Sequence, residues 1–287
     1  MNTGVLVIGV NGLIGSSLAE LAQRDGIDWI GTSRKAKADA NAIKELDLLN
    51  DDQIRNLSFR PKITYLCAAE TNIRKCQSNP EATGKINIEQ TVKLAKHLHQ
   101  AGSAIVFLSS NLVFDGNHPH VRPDQMTAPR TEYGRQKAET EKILLGELKH
   151  IAVVRLTKVV HQDFALFKEW LSALSQRRTI RPFSDMPFCP IQLSVVAEEL
   201  WVLSRDFAPG IFQLSGDADL SYASAAQFLA QCRGIDHELV KPQTTAEAGF
   251  SQYFPRHTTL LHRPIRTGQE PMPIFTTLER IFGSLQR

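Results

Sequence analysis

Apolar residues recur along this chain in short unbroken runs, separated by stretches with helical spacing. Val5–Ile8 is rich in β-branched residues, and after it Leu13, Ile14, Leu18, Leu21 and Ala22 share one helical face as far as Arg24. Trp29–Thr32 and Ile63–Cys67 are further runs, and Pro80 opens a helix reaching about Gln100, since proline is tolerated in a first turn. Ile105–Leu108 reads as the next strand, Tyr133–Leu148 as a helix and Ile151–Arg155 as another strand. Strands with no polar interruption are buried on both faces, so the alternation predicts a doubly wound parallel α/β sheet.

Beyond Arg155 the alternation lapses. Phe164–Leu174 has helical spacing, Arg181–Pro190 is irregular and holds three prolines, and Ser194–Ser204 is an amphipathic helix. Ile211–Leu214 is a late strand, Ser221 is placed to cap a helix to about Arg233, and a short helix near Phe275–Phe282 closes a tail rich in Pro, Thr and Arg. The division expected is a nucleotide-binding core over 1–157, rejoined by 193–215. A smaller, discontinuous C-terminal lobe is then assembled from 158–192 and 216–287.

Composition narrows the class. The 287 residues are 42% hydrophobic and 22% charged, with 33 basic against 30 acidic side chains for a net charge of +3. That is the balance of an ordinary globular protein and lacks the concentrated basic face of a nucleic-acid binder. No apolar run approaches the ~20 residues of a membrane span. Cys67, Cys76, Cys189 and Cys232 show no paired spacing, and Met1–Val10 shows neither a basic leader nor a cleavage site. The expectation is a reduced, cytoplasmic protein without membrane or nucleic-acid partners.

Gly9-Val10-Asn11-Gly12-Leu13-Ile14-Gly15 joins the first strand to the first helix. Glycines there let a pyrophosphate approach the helix N-terminus and let helix and sheet pack closely; the bland reading is a plain tight turn. The second strand ends in Thr32-Ser33-Arg34-Lys35, with no acid to accept from an adenosine ribose. A guanidinium at Arg34, with Ser33 as a further donor, suits a 2′-phosphate, so NADPH is favoured over NADH. The alternative is a solvated basic loop. Asp47-Leu48 would flank the adenine, or Asp47 would cap a helix over Asp51–Leu57.

Tyr133 and Lys137 lie four apart at the start of a helix and share a face. An ammonium near a phenol favours the ionised form, which would lower the tyrosine pKa and make it a proton donor or acceptor near neutrality. Ser109-Ser110 closes the strand Ile105–Leu108, where strand ends meet a cofactor cleft. Other candidates are weaker. His118 and His120 lack a third metal ligand and read as a loop at the rim. His97 and His99 read as surface residues, and Trp170 and Trp201 as packing. Arg177, Arg178 and Arg181 would either receive a diphosphate or form a solvated stretch.

These motifs together resemble the extended short-chain dehydrogenase/reductases, nearest the dTDP-4-dehydrorhamnose reductase group. The glycine turn, Ala68-Ala69-Glu70-Thr71, Asn87, Leu108–Gly116, Tyr133-Gly134-Arg135-Gln136-Lys137 and Glu141 match in order, with weaker echoes at Val154–Thr157, Gly210–Gly216 and Pro255–His257. The resemblance implies a Rossmann core, NADPH as cofactor and a nucleotide-linked keto deoxysugar as substrate. Ser110, Tyr133 and Lys137 become the catalytic trio, with Tyr133 protonating the developing alkoxide. Gly9, Asn11, Gly12, Leu13, Ile14, Ser33, Arg34, Asp47, Leu48, Ala68, Ala69 and Thr71 line the cofactor with Tyr133 and Lys137. Ser110, Asn111, Lys158 and Arg256 face the substrate, and a homodimer is a compatible assembly. The chain departs from the group where Asn111-Leu112 replaces Asp-Tyr, where Lys158 replaces a sugar-holding tryptophan, and where Val160-His161 replaces Tyr-Gly. Phe254–His257 also stands in for Arg-Pro-x-Asn. Two alternatives remain: an epimerase, and a non-catalytic NADP-binding regulator like the regulatory subunit of methionine adenosyltransferase, which resembles the same group.

Overall fold

The computed structural model describes residues 4–35 and 42–285. The first half runs β1 (Val5–Ile8), α1 (Leu13–Arg24), β2 (Trp29–Ser33), β3 (Ile43–Glu45), α2 (Asp51–Arg55), β4 (Ile63–Leu66), α3 (Ile73–Ser78), α4 (Pro80–Gly84), α5 (Thr91–Gln100), β5 (Ala104–Ser110), α6 (Glu132–Glu147) and β6 (Ile151–Leu156). Then come β7 (Lys158–Val160), α7 (Ala165–Ser175), β8 (Pro187–Phe188), β9 (Pro190–Gln192), α8 (Leu193–Val202), β10 (Gly210–Leu214), β11 (Leu220–Ser221), α9 (Tyr222–Cys232) and α10 (Ile274–Ser284).

Seven strands form one parallel sheet in the order β10-β6-β5-β4-β1-β2-β3. Alternation along each strand sorts its side chains between two cores. Val5, Val7, Tyr65, Val106, Val154 and Leu214 face α1 and α8. Leu6, Ile8, Leu66, Phe107 and Val153 face α5 and α6. Trp201, 2% exposed, is part of the first layer, and its indole donates to Asp25 at 2.7 Å.

The sheet is completed out of chain order. β10 lies beside β6, and Thr157 reaches it through a hydrogen bond to Leu214 O (3.2 Å). A separate core gathers Phe167, Trp170 and Leu174 of α7, Leu229 of α9 and Leu278 and Phe282 of α10. The Arg181–Pro190 stretch is not wholly irregular: β8 pairs antiparallel with β11, and β9 pairs parallel with β7.

Pro80–Gln100 is one continuous rod, but Lys85–Gln90 between α4 and α5 is wound as a π-turn, with Asn87 and Gln90 turned inward. His97 and His99 are half-buried rather than surface residues: their ring nitrogens lie 3.3 Å from Leu57 O and Ser103 O. Among the described residues no helix is long and apolar enough to cross a membrane, and no cluster of acidic, His and Cys side chains is placed to hold a metal.

Candidate active site

The strand order reverses between β1 and β4, which opens a crevice at their carboxyl ends. The glycine turn fills one wall. Gly9 has φ +82°, and a Cβ on it would lie 2.8 Å from Ala68 N; a Cβ on Gly15 would lie 2.4 Å from Gly9 O. Both positions therefore demand glycine. The amides of Gly9 and Val10 donate to Thr32 O at 3.1 and 3.0 Å, sewing the turn to β2. Gly12 caps α1 without a side chain, and the first turn carries no acid. The α1 amides and the positive end of the helix dipole are thus left for an anion.

On the adenosine side, Asn11 Nδ2 donates to Ser33 Oγ at 2.7 Å, and Arg34 is exposed just beyond β2. Asp47 does not cap α2. Its Oδ1 accepts from Leu49 N (3.0 Å), whereas Asn50 Oδ1 accepts from Asp52 N and Gln53 N, both at 3.1 Å, because Asn50 immediately precedes the helix. Leu48 is buried in the core. Ala68 is half-buried against the turn, Ala69 is half-buried beside it in sequence, and Thr71 is exposed. Between them Glu70 is held below the usual carboxyl range, first by its hydrogen bond from Lys75 (2.5 Å) and in small part by the charge of Arg34.

The elements that carry the three expected catalytic side chains meet at the end of β5. Lys137 Nζ donates to Leu108 O at 2.8 Å and lies 4.6 Å from the Phe107 ring centroid and 5.9 Å from that of Tyr133. Ser110 caps the turn Asn111–Val113, accepting from Leu112 N at 3.2 Å and donating to Asn111 Oδ1 at 3.2 Å. The start of α6 presses onto that turn so closely that a Cβ on Gly134 would lie 2.0 Å from Leu112 O. Thr131 caps the helix, its hydroxyl accepting from Gly134 N at 3.1 Å.

The electrostatics differ from the expectation. Burial pushes the Tyr133 phenol above its ordinary pKa, with no opposing contribution from Lys137. Part of the ring is open, but protein crowds it on most sides, and the lysine proton is directed at a carbonyl. Lys137, 4% exposed, is itself lowered to about 8 by burial, with Glu141 and the nearby thiols of Cys67 and Cys76 pulling the other way. Desolvation outweighs the charge effect here.

The expected substrate residues come from both sides of Ser110. Leu156 is its register partner across the sheet, and Lys158 follows two residues on, its ammonium 5.2 Å from the Phe164 ring centroid. Opposite, Asn111 Nδ2 donates to Thr258 O (3.1 Å) and His257 N donates to Gly116 O (2.9 Å), which straps the segment carrying exposed Arg256 onto the loop after Ser110. Arg178 and Arg181 stand apart from this cleft's residues, lining a groove of about 590 Å³ with Lys168 and Trp170.

The model of the RmlD substrate binding domain family matches residues 1–281. The chain belongs to that family. The fold is that of a dTDP-4-dehydrorhamnose reductase from Bacillus anthracis solved in complex with NADP, at a TM-score of 0.86 and 22% identity over 98% of this chain and 99% of that one. The spore coat polysaccharide biosynthesis protein SpsK of Bacillus subtilis is 24% identical over 92% of this chain and 90% of its own. Methionine adenosyltransferase 2 subunit beta of Pongo abelii is 29% identical over 158 residues, 54% of this chain. That match spans about half of the relative's length, 46%. The resemblance to extended short-chain dehydrogenase/reductases thus holds over nearly the whole chain.

In this RmlD-family chain, the sequence marks Asn87 and Gln136 as parts of matching motifs but gives neither a role. Asn87 Oδ1 accepts from Glu70 N (2.8 Å), and its Nδ2 donates to Glu70 O (2.9 Å) and to Gln136 Oε1 (2.7 Å). Gln136, fully buried, donates to Thr83 Oγ1 and Glu132 Oε1, each at 2.9 Å. One buried amide network thus fixes the loop after β4 to the helix carrying Tyr133 and Lys137. The available signal was the position of Gln136 between those two residues, on the next face of the helix.

Proposed function

We propose that this protein is an NADPH-dependent reductase of the keto group of a nucleotide-linked deoxysugar. The meeting of the Ser110 turn with the helix that carries Tyr133 and Lys137, in a fold whose first helix opens on a glycine turn that tolerates no Cβ, supports the reading most strongly. The site fits the cofactor: an uncapped helix end suits pyrophosphate, and Arg34 with Ser33 suits the 2′-phosphate. In this reading Gly9, Asn11, Gly12, Leu13, Ile14, Ser33 and Arg34 hold the cofactor, together with Ala68, Ala69 and Thr71. Bound NADPH supplies a hydride to the keto carbon.

Ser110 orients the carbonyl oxygen. Tyr133 donates its phenolic proton to that oxygen as negative charge develops there, and its raised pKa keeps the proton in place beforehand. Lys137, which donates to Leu108 O, would bind the ribose of the cofactor, and its charge, 5.9 Å from the Tyr133 ring centroid, would stabilise the phenolate left behind. The lobe built on α7, α9 and α10 receives the nucleotide sugar, with Asn111, Lys158 and Arg256 at its mouth. The likeness to a polysaccharide biosynthesis protein over most of the chain favours a sugar substrate.

Loss of nicotinamide absorbance with a panel of dTDP- and UDP-linked keto sugars tests the proposal. Tyr133→Phe is expected to lower turnover by about 100-fold or more, the usual share of a positioned proton donor. Turnover within threefold of wild type would overturn the role of Tyr133. Cofactor binding with no turnover of any keto sugar would instead mark a binding protein.

A further inference from the structure

Among the described residues, the two cations proposed to face the substrate, Lys158 and Arg256, have no acidic partner. Lys158 is solvent-accessible, and among the described residues its ammonium has no carboxylate within ion-pair distance and no hydrogen-bond acceptor. Its neighbours are committed elsewhere. Asp163 pairs with Lys168 at 2.9 Å, and His161 Nδ1 accepts from Asp163 N. The Lys158 amide is fixed to Cys189 O at 3.0 Å, and the Phe164 face holds the ammonium in place. Arg256, on the segment strapped to the loop after Ser110, is equally without an acidic partner among the described residues. Asp219 on that side is occupied by the Thr258 amide and hydroxyl and by His257, 3.5 Å away.

A nucleoside diphosphate accounts for one cation. Guanidinium is the better match for its paired oxygens, and this assigns it to Arg256. Lys158 remains, two residues and at most about 7 Å of chain past Leu156, the register partner of Ser110. That is the reach of a sugar substituent whose keto carbon lies at Ser110, and a point charge on a flexible stem suits a carboxylate. We infer that the sugar carries a carboxylate, held by Lys158, so that the substrate class is nucleotide-linked keto sugar acids. This rests on the nucleotide-sugar reading and adds the charge of the sugar.

Calorimetric titration of the NADP⁺-loaded protein with UDP-glucuronate, UDP-glucose and UDP, and with the matching dTDP compounds, tests it without requiring turnover. The sugar acid is expected to bind about tenfold or more tightly than the neutral sugar. Lys158→Met should bring the two affinities together, Lys158→Glu should invert them, and Lys158→Arg should keep the preference. Equal affinities in the wild type overturn the inference, as does a preference that survives Lys158→Met. A Lys158→Met loss shared equally by UDP or dTDP alone also overturns it, since that would place the ammonium on the diphosphate. Selective binding of the sugar acid with no reduction of keto sugars would sink the reductase reading and leave the inference standing.

Discussion

Replacing Glu141 with alanine strands a guanidinium inside the protein. Both side chains of the Glu141–Arg155 pair are 3% exposed, and the carboxylate accepts from Arg155 Nε at 3.1 and 3.2 Å and from Nη2 at 2.7 Å. Without it, Arg155 keeps, among the described residues, hydrogen bonds to Pro123 O at 3.1 Å and Gln213 Oε1 at 3.4 Å and the face of the Phe114 ring, 4.9 Å away. A buried charge that loses its partner typically costs about 3–5 kcal/mol, a large part of a folded protein's ~5–15 kcal/mol. Urea unfolding of Glu141→Ala, followed by tryptophan fluorescence, should show a loss of that size. The double variant Glu141→Ala/Arg155→Met should recover about 1–2 kcal/mol relative to Glu141→Ala alone, because the uncompensated charge has gone. A loss below about 1 kcal/mol for Glu141→Ala, or a double variant weaker than the sum of the singles, would refute the account of a desolvated charge needing its partner.

Two further outcomes follow from the site. Lys137 has a folded pKa of about 8 against an ordinary 10.5, so the folded state gives up its proton first and the burial penalty is relieved as pH rises through 8. The stability of wild type relative to Lys137→Met should therefore rise by about 2 kcal/mol between pH ~7.5 and ~9.5, read from paired urea melts; a flat difference would show that the ammonium is not desolvated. Gly134→Ala places a methyl 2.0 Å from Leu112 O, which forces α6 away from the Ser110 turn. Turnover should fall about 100-fold while NADPH affinity, measured by fluorescence, changes far less, and unchanged turnover would mean the two segments move independently.

The strands that build the sheet centre were legible because both faces are covered: Val5–Ile8 and Ile151–Leu156 are buried at every position, and Val5–Ile8 and Ile151–Val154 read as unbroken apolar runs. β3, Ile43–Glu45, was not, since an edge strand with exposed Lys44 and Glu45 carries no such signature. The π-turn around Asn87 also escaped, because one extra residue in a helical rod hardly disturbs its apolar spacing. At the site, the four-residue interval put Tyr133 and Lys137 on one face, as helical geometry demands. Spacing could not report that Lys137 donates to Leu108 O, nor that desolvation would dominate Tyr133; both depend on what β5 and the loop after β4 bring alongside.

The late arrival of β10 has a consequence for biosynthesis. Its partner edge on β6 ends at Leu156, but β10 begins only at Gly210. At roughly 5–20 residues per second, a ribosome leaves that apolar strand with bare amides and carbonyls for several seconds after it emerges. Throughout that interval the nascent chain offers an open docking edge to any passing polypeptide, which makes this seam, more than the glycine turn or the catalytic helix, the place where a chaperone has most to shield.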